Sequence, residues 1–338
     1  MGHYIRRRLI TAIPVFFGIT LLVFCMFSLA AGDLTDLMGE GSASGAERAA
    51  LAAALGLDRP LPLRYLDWLA GLLRGELGSS WLNGKPVGEL IAQRVGPSLL
   101  LTGTGVLLAV AVALPLGIAA AWRPGSAWDR LASALSLVSF GVPGFFLCLA
   151  GILVFSVGLG WLPVAGRLST SGQITMSTIL NPSPFSLLDA LRLGDTELLR
   201  DVLGHAVLPA VALGILTGGV FLRLVRTNMI GTLEMQYIES ARSRGVAETR
   251  LTTRHGLRPA LIPIITVMGM QVAMMLGGAV LTETTFEWNG LGYMLAEYMK
   301  ARDYIAVQGI VMMLAVIVAL SNFVVDVIAA LIDPRVRY

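Results

Sequence analysis

Six apolar runs, each long enough to cross a lipid bilayer, decide what this chain can fold into. A transmembrane helix takes about 20 mostly apolar residues at about 1.5 Å rise each. Runs of that kind occupy residues 9–31, 99–122, 131–162, 203–222, 262–281 and 306–332. The rest of the composition agrees. Only 14% of residues are charged, where a soluble domain carries about 25%. Intrinsic disorder is excluded, because it needs low hydrophobicity and high charge. The net charge of +3 is spread between apolar segments, whereas a nucleic-acid binder concentrates it on one soluble face. Cys25 and Cys148 both lie inside apolar runs, so neither a disulfide framework nor a cysteine metal site follows. The expected fold class is an all-α polytopic membrane protein with six transmembrane helices.

The first run is a span rather than a cleaved leader, because a signal h-region is about 7–15 residues long. The third run is longer than one straight span, and Gly141, Val142, Pro143 and Gly144 are expected to bend it. Orientation follows from Lys and Arg. With the N-terminus inside, the inner segments hold fourteen of the 25 basic residues, among them Arg6, Arg7, Arg8, Arg223, Arg226, Arg335 and Arg337. The positive-inside rule selects that topology, with both termini cytoplasmic. Three loops then face outward. Within the first, Leu66, Leu69, Leu72 and Leu73 recur at helical spacing beside Tyr65 and Trp68, as in an amphipathic helix at the membrane interface or packed on other loops. The stretch 169–184 reads as irregular, and Trp288, Asn289 and Gly290 as a turn. The organisation expected is an N-terminal span and outer loop at 1–98, a five-helix core at 99–332 and a cytoplasmic tail at 333–338.

One cytoplasmic loop is large. Residues 223–261 carry seven Arg and no Lys. A helix is expected up to Arg244, with Gly245 supplying the left-handed conformation that ends it. A second short helix is expected over about 247–255, closed by Gly256 and followed by Pro259 and Pro263. On charge alone, such an elbow equally suits a surface resting on anionic headgroups of membrane lipid.

The pattern is more specific than its charge. Glu239, Ser240 and Ala241, then three residues, then Gly245, then a Pro-bounded apolar run, resemble the "EAA" loop of bacterial ABC importer permeases. Ser240 stands where that motif has Ala. The likeness runs along nearly the whole chain and points to the dipeptide/oligopeptide/nickel branch. Its marks are Tyr4-Ile5-Arg6-Arg7-Arg8-Leu9, Leu55-Gly56-Leu57-Asp58-Arg59-Pro60-Leu61, Gly75-Glu76-Leu77-Gly78-Ser79-Ser80, His205-Ala206-Val207-Leu208-Pro209-Ala210, Glu283-Thr284-Thr285-Phe286 with Gly290-Leu291-Gly292 and Arg302-Asp303-Tyr304, and Asp333-Pro334-Arg335.

The resemblance implies a type I ABC importer fold in the bacterial cytoplasmic (inner) membrane. The loop would be a coupling helix docked on an ATPase, with Tyr237, Glu239, Ser240, Ala241, Arg242, Arg244 and Gly245 as the docking residues. The chain has no Gly-x-x-x-x-Gly-Lys-Ser/Thr phosphate loop. No catalytic residue and no cofactor are therefore expected in this chain, and ATP and Mg belong to partner subunits. The implied partners are two cytoplasmic ATPases, a homologous second permease and an extracytoplasmic solute-binding protein, with no nucleic acid. Peptides are the first substrate class and nickel chelates or another small solute the alternative.

Asp326 is the one carboxylate well inside an apolar run. A central Asp costs about 2.5–3.5 kcal/mol on insertion scales, which the surrounding Val, Ile, Leu and Phe offset. With Asn322 one turn earlier on the same face, it reads as a structural bond to a neighbouring helix. Read as a transport site, it would point instead to a gradient-driven carrier. Gln271 and Met274, among several methionines, are candidates for the substrate path. His3, His205 and His255 fall on separate segments, so no metal site is expected.

Overall fold

A computed structural model describes residues 2–30, 59–179 and 183–332 of the chain, and nearly all of them are helical. Lipid offers no hydrogen bonds to a bare backbone, so a chain this apolar satisfies its N–H and C=O groups within helices. Every one of the six apolar runs falls on helix. The long elements are α1 (Gly2–Ala30), α3 (Val87–Trp122), α8 (Thr196–Leu233), α11 (Leu257–Thr285) and α13 (Tyr304–Ile332). Between them lie α2 (Leu61–Arg74), α4 (Ala127–Gly141), α5 (Gly144–Gly151), α6 (Thr170–Ser177), α7 (Ser186–Leu193), α9 (Gln236–Ser243), α10 (Glu248–Arg250) and α12 (Leu291–Lys300). Among the described residues, four single helices are long and apolar enough to cross a membrane, and α4 with α5 adds a fifth if counted as one span. The helix α11 carries the fifth apolar run.

The expected bend is present. The α4 axis and the continuation of α5 meet at 108°. Pro143 supplies the cause, since it lacks an N–H and forces Val142 out of the helical region; Val142 sits at φ −101°, ψ 125°. Beyond α5 the chain widens into π-helical turns over Ile152–Gly158.

Three sequence expectations need amending. The stretch read as irregular contains α6, capped by Ser169, whose Oγ accepts the Gly172 N–H at 3.2 Å. The signal was the Ser cap, hidden among Ser and Thr that also favour loops. The second elbow helix does not stop at Gly256. It continues from α10 through π-helical turns at Leu251–Gly256 directly into α11. The turn at Trp288 to Gly290 is followed by α12, which was not expected. The marks at 55–58 and 333–335 lie outside the described residues.

The chain forms two compact units, one of residues 2–93 and 295–317 and one of 94–294 with 318–332. In the first, the expected helix α2 is present, but it packs on α1, through Tyr65 and Trp68, rather than on other loops. Phe24 meets Tyr65 edge-on at 5.4 Å, and Thr20 Oγ1 and the Tyr65 hydroxyl are 2.9 Å apart. Asp303 is fully buried there. Its carboxylate accepts the Ser80 hydroxyl at 2.5 Å and caps α13 through the Ala306 N–H at 3.1 Å.

The second unit is built around α8. Helices in membranes associate by close packing of small residues rather than by expelling water. Buried Ala109, Ala113, Ala120 and Ala132 cluster with Phe221 and Leu222. A Cβ at Gly219 would overlap the Ser139 side chain. The same approach lets Ser139 Oγ donate to the Leu216 carbonyl at 2.7 Å and Ser136 Oγ to the Gly219 carbonyl at 3.3 Å. Toward the Leu233 end of α8, Val225 and Met229 pack with Ala121 of α3 and with Ala260 and Ile264 of α11. That cluster is the floor on which the elbow stands.

Candidate functional site

The elbow is a helix closed by a Schellman turn. α9 covers Gln236–Ser243, and Gly245 follows at φ 80°. The Gly245 N–H donates to the Arg242 carbonyl at 2.9 Å, and the Val246 N–H to the Ala241 carbonyl at 3.3 Å. Those are the two reversed bonds that satisfy the last carbonyls of a helix. The expected break at Gly245 is therefore present, for the expected reason. A Cβ there would meet nothing within 4 Å, so glycine serves the backbone angle and not the internal packing.

Two side-chain bonds lock the angle beyond the turn. Arg242 grips Glu248 with Nε on Oε1 and its second nitrogen on Oε2 at 3.3 Å. This guanidinium holds the Glu248 carboxyl below the usual glutamate range. Tyr237 donates its hydroxyl to the His255 carbonyl at 3.3 Å. Other bonds stay within the helix. Arg244 Nε donates to the Ser240 carbonyl at 3.1 Å, and Ser243 Oγ to the Glu239 carbonyl at 3.0 Å.

Exposure separates the elbow's two faces. Ile238 is completely buried, while Tyr237, Glu239, Ser240, Arg242, Arg244 and Gly245 are exposed and Ala241 is half-buried. All seven residues singled out from the sequence thus lie on one short helix and its turn, with one internal anchor. Below them Gly256 admits Leu233, whose Cδ2 would stand 2.9 Å from an added Cβ.

The intramembrane candidates are not brought to the elbow. Gln271 is half-buried on α11, while Met274 is 70% exposed. Their neighbour Met275 is buried among Leu101, Ala210 and Trp288, so the methionines divide between packing and surface. Asn322 is exposed on α13, and Asp326 is half-buried and has an interaction partner. Among the described residues no cluster of His, Cys, Asp and Glu could hold a metal.

Residues 113–338 match the binding-protein-dependent transport system inner membrane component family, and residues 1–102 match the N-terminal family of the same membrane components. The chain belongs to this family. It is 37% identical over 339 residues to the dipeptide transport system permease protein DppB of Escherichia coli (strain K12), covering 100% of this chain and 99% of that one. It is 38% identical to the di/tripeptide transport system permease protein DppB of Pseudomonas aeruginosa (strain UCBPP-PA14), with the same coverage. The glutathione transport system permease protein GsiC of Salmonella typhimurium is 34% identical over the full length of both chains. An inward-facing structure of the MetNI methionine ABC transporter superposes with a TM-score of 0.54 at 17% identity, covering 72% of this chain and 97% of that chain. That likeness shows a shared fold.

Two polar clusters of this inner membrane component were not foreseen. Asp129, at the start of α4, receives Arg226 of α8 in a two-pronged pair at 2.6 and 3.2 Å, and also the Gly125 N–H at 2.8 Å. Far along α11 from the elbow, Glu283 is 1% exposed. It accepts the Ser98 hydroxyl at 2.5 Å and the N–H groups of Gly292 and Tyr293 at 2.8 and 3.0 Å. Ser98 in turn accepts the Leu291 N–H at 2.7 Å, and Trp288 Nε1 donates to the Pro97 carbonyl at 2.9 Å. An isolated acid among Arg123 and Arg130 was the available signal for Asp129. Glu283 carried only its place in the mark Glu283-Thr284-Thr285-Phe286, since its hydroxyl partner is 185 residues away.

Proposed function

We propose that this chain is one of two permease subunits of an ATP-driven importer of di- and oligopeptides. The peptide reading is supported by the names of full-length relatives. In it the chain crosses the membrane six times with both termini cytoplasmic. A solute-binding protein delivers the peptide from outside, a second homologous permease completes the path, and two ATPases bind ATP and Mg. This chain supplies no catalytic group and no cofactor. It provides a passage and a mechanical connection.

The observation that carries this reading is the elbow. Between residues 236 and 250 only Ile238 is buried, while the helix end satisfies its own carbonyls. A segment that is internally complete and outwardly bare is ready for a partner's cleft. Small groups at Ser240, Ala241 and Gly245 let such a surface approach the backbone, and Glu239, Arg242 and Arg244 give it charges to read. ATP-driven closure of the ATPases would move the elbow, and the unbroken helix behind it carries that motion along α11. Gln271 and Met274 belong to the substrate path in this reading, whereas Asn322 and Asp326 tie helices together.

The test is Gly245→Trp in the complete transporter, reconstituted with its partner subunits. Because the space around Gly245 is open within the chain, the bulk falls on the docked partner. ATP hydrolysis is expected to continue while peptide uptake is lost. Uptake at the wild-type rate would remove the elbow from the mechanism.

A further inference from the structure

Arg167 is a held cation without a counter-charge. Its neighbour Gly166 donates its N–H to the Phe286 carbonyl at 2.9 Å. Its other neighbour, Leu168, is buried with Ala190, Leu198 and Val202. Fixed from both sides, Arg167 is half-buried, and among the described residues it makes no hydrogen bond or ion pair. A second arginine is tied to the same turn. Arg94 donates to Asn289 Oδ1 at 2.5 Å, three residues beyond Phe286. Burial and the Arg94 charge both push the Arg167 guanidinium below its ordinary range.

Two neighbouring carboxylates are already committed, and Glu287 of the same turn is exposed and pairs with neither arginine among the described residues. Glu283 is filled by Ser98, Gly292 and Tyr293. Asp201, reached through Ser169, accepts that residue's N–H and hydroxyl at 2.9 Å and lies 3.2 Å from His205. The turn that holds the arginines is also strained. Glu287 and Asn289 stand at φ 50° and 46° without being glycine, a conformation that persists where the surroundings over-determine it and that clusters at ligand sites. A half-buried guanidinium is ordinarily paired, and its planar fork matches a carboxylate.

The geometry points to a carboxylate site between Arg94 and Arg167, which takes the C-terminal carboxylate of the peptide being imported. It rests on the peptide reading above. In the topology proposed there, loop 163–201 and the turn at 286–290 face outward, where a released peptide enters. Half-burial suits a small free ligand better than an acidic side chain on the rim of a docking protein.

The experiment is ATP-dependent dipeptide uptake by the complete transporter in proteoliposomes, titrated with peptide-loaded binding protein. For Arg167→Gln the maximal rate should fall about tenfold, the worth of one charge-assisted hydrogen bond, with the half-saturating concentration of binding protein unchanged. Arg167→Lys should recover much of the rate, and Arg94→Gln should repeat the loss if Arg167→Gln fails to assemble. A raised half-saturating concentration with the maximal rate preserved would assign the charge to protein docking and overturn the proposal. Unchanged uptake would overturn it too, leaving the peptide reading intact. A wild-type complex that carries no peptide would overturn both.

Discussion

The elbow at 236–256 and the corner around Glu283 join helices within one unit, and they hold their shape by opposite means. The elbow closes on backbone bonds, one glycine angle and an exposed Arg242–Glu248 pair. The corner closes on a buried carboxylate that serves a hydroxyl and two backbone donors, beside an indole that is itself hydrogen-bonded. Exposed ion pairs contribute little to stability, about 0–1 kcal/mol. A buried charge is costly to strand, so its partners are energetically indispensable. The difference shows how one helix can end in a rigid joint on one side and an adaptable surface on the other. The corner spends its polar groups inward and keeps none for a partner. The elbow leaves its polar groups available.

The largest expected effect is at the corner. Glu283→Ala strands the Gly292 and Tyr293 N–H groups and should destabilise the chain by about 3 kcal/mol. Thermal unfolding in detergent measures this, with Glu248→Ala as the elbow's counterpart. Equal losses in the two variants would erase the distinction. Trp288→Phe removes the bond to the Pro97 carbonyl and part of a fully buried ring, and should cost about 2 kcal/mol in the same assay. Gly245→Ala is expected to cost about 1 kcal/mol, because an L-residue at φ 80° is strained although its Cβ has room. Uptake measured per ATP hydrolysed should nonetheless suffer more from Gly245→Trp than from Gly245→Ala, at comparable melting temperatures. If the two variants couple equally, the elbow's open face is not where a partner sits.

The smallest effect is on pH. Glu248 is held below its unfolded range by Arg242. Its contribution is therefore fully present above the ordinary glutamate pKa and is lost as pH falls through the lower folded value. Amide protection factors at 246–250, corrected for the intrinsic pH dependence of exchange, should not change between pH 8 and 6 and should fall only in acid below the usual glutamate range. Glu248→Gln should abolish that response. A transition near neutral pH would show that something other than this pair closes the elbow.

What could be read from the residues follows from how far each signal reaches. The break at Gly245 and the bend at Pro143 are local consequences of missing atoms, a Cβ in one case and an N–H in the other. The α2 stripe is a periodicity, which gives the helix but not its partner, and α1 is met through Tyr65 and Trp68. Gly256 misled because it is small for a tertiary reason, room for Leu233, and therefore ended no helix. Glu283 and Asp303 stood only as marks of the family likeness, and Asp129 not at all, because a buried carboxylate's role is recognised by partners the chain brings from elsewhere. Ser80 lies 223 residues from Asp303, and Arg226 lies 97 from Asp129. Arg167 could not be singled out among the eleven basic residues of the expected outer segments, since what distinguishes it is the burial of a charge that has no partner among the described residues, and burial is set by the fold.

The unbroken run from α10 through the π-helical turns into α11 has a geometric corollary. α11 alone has 29 residues, about 43 Å at 1.5 Å per residue. In the function proposed above it would be a lever arm whose short end is the elbow and whose far end carries Glu283 and the Trp288 turn. A tilt of about 5° about the elbow would sweep the far end sideways by about 4 Å, more than the length of a hydrogen bond. A modest swing at one end of α11 is thus large enough to make or break polar contacts at its other end.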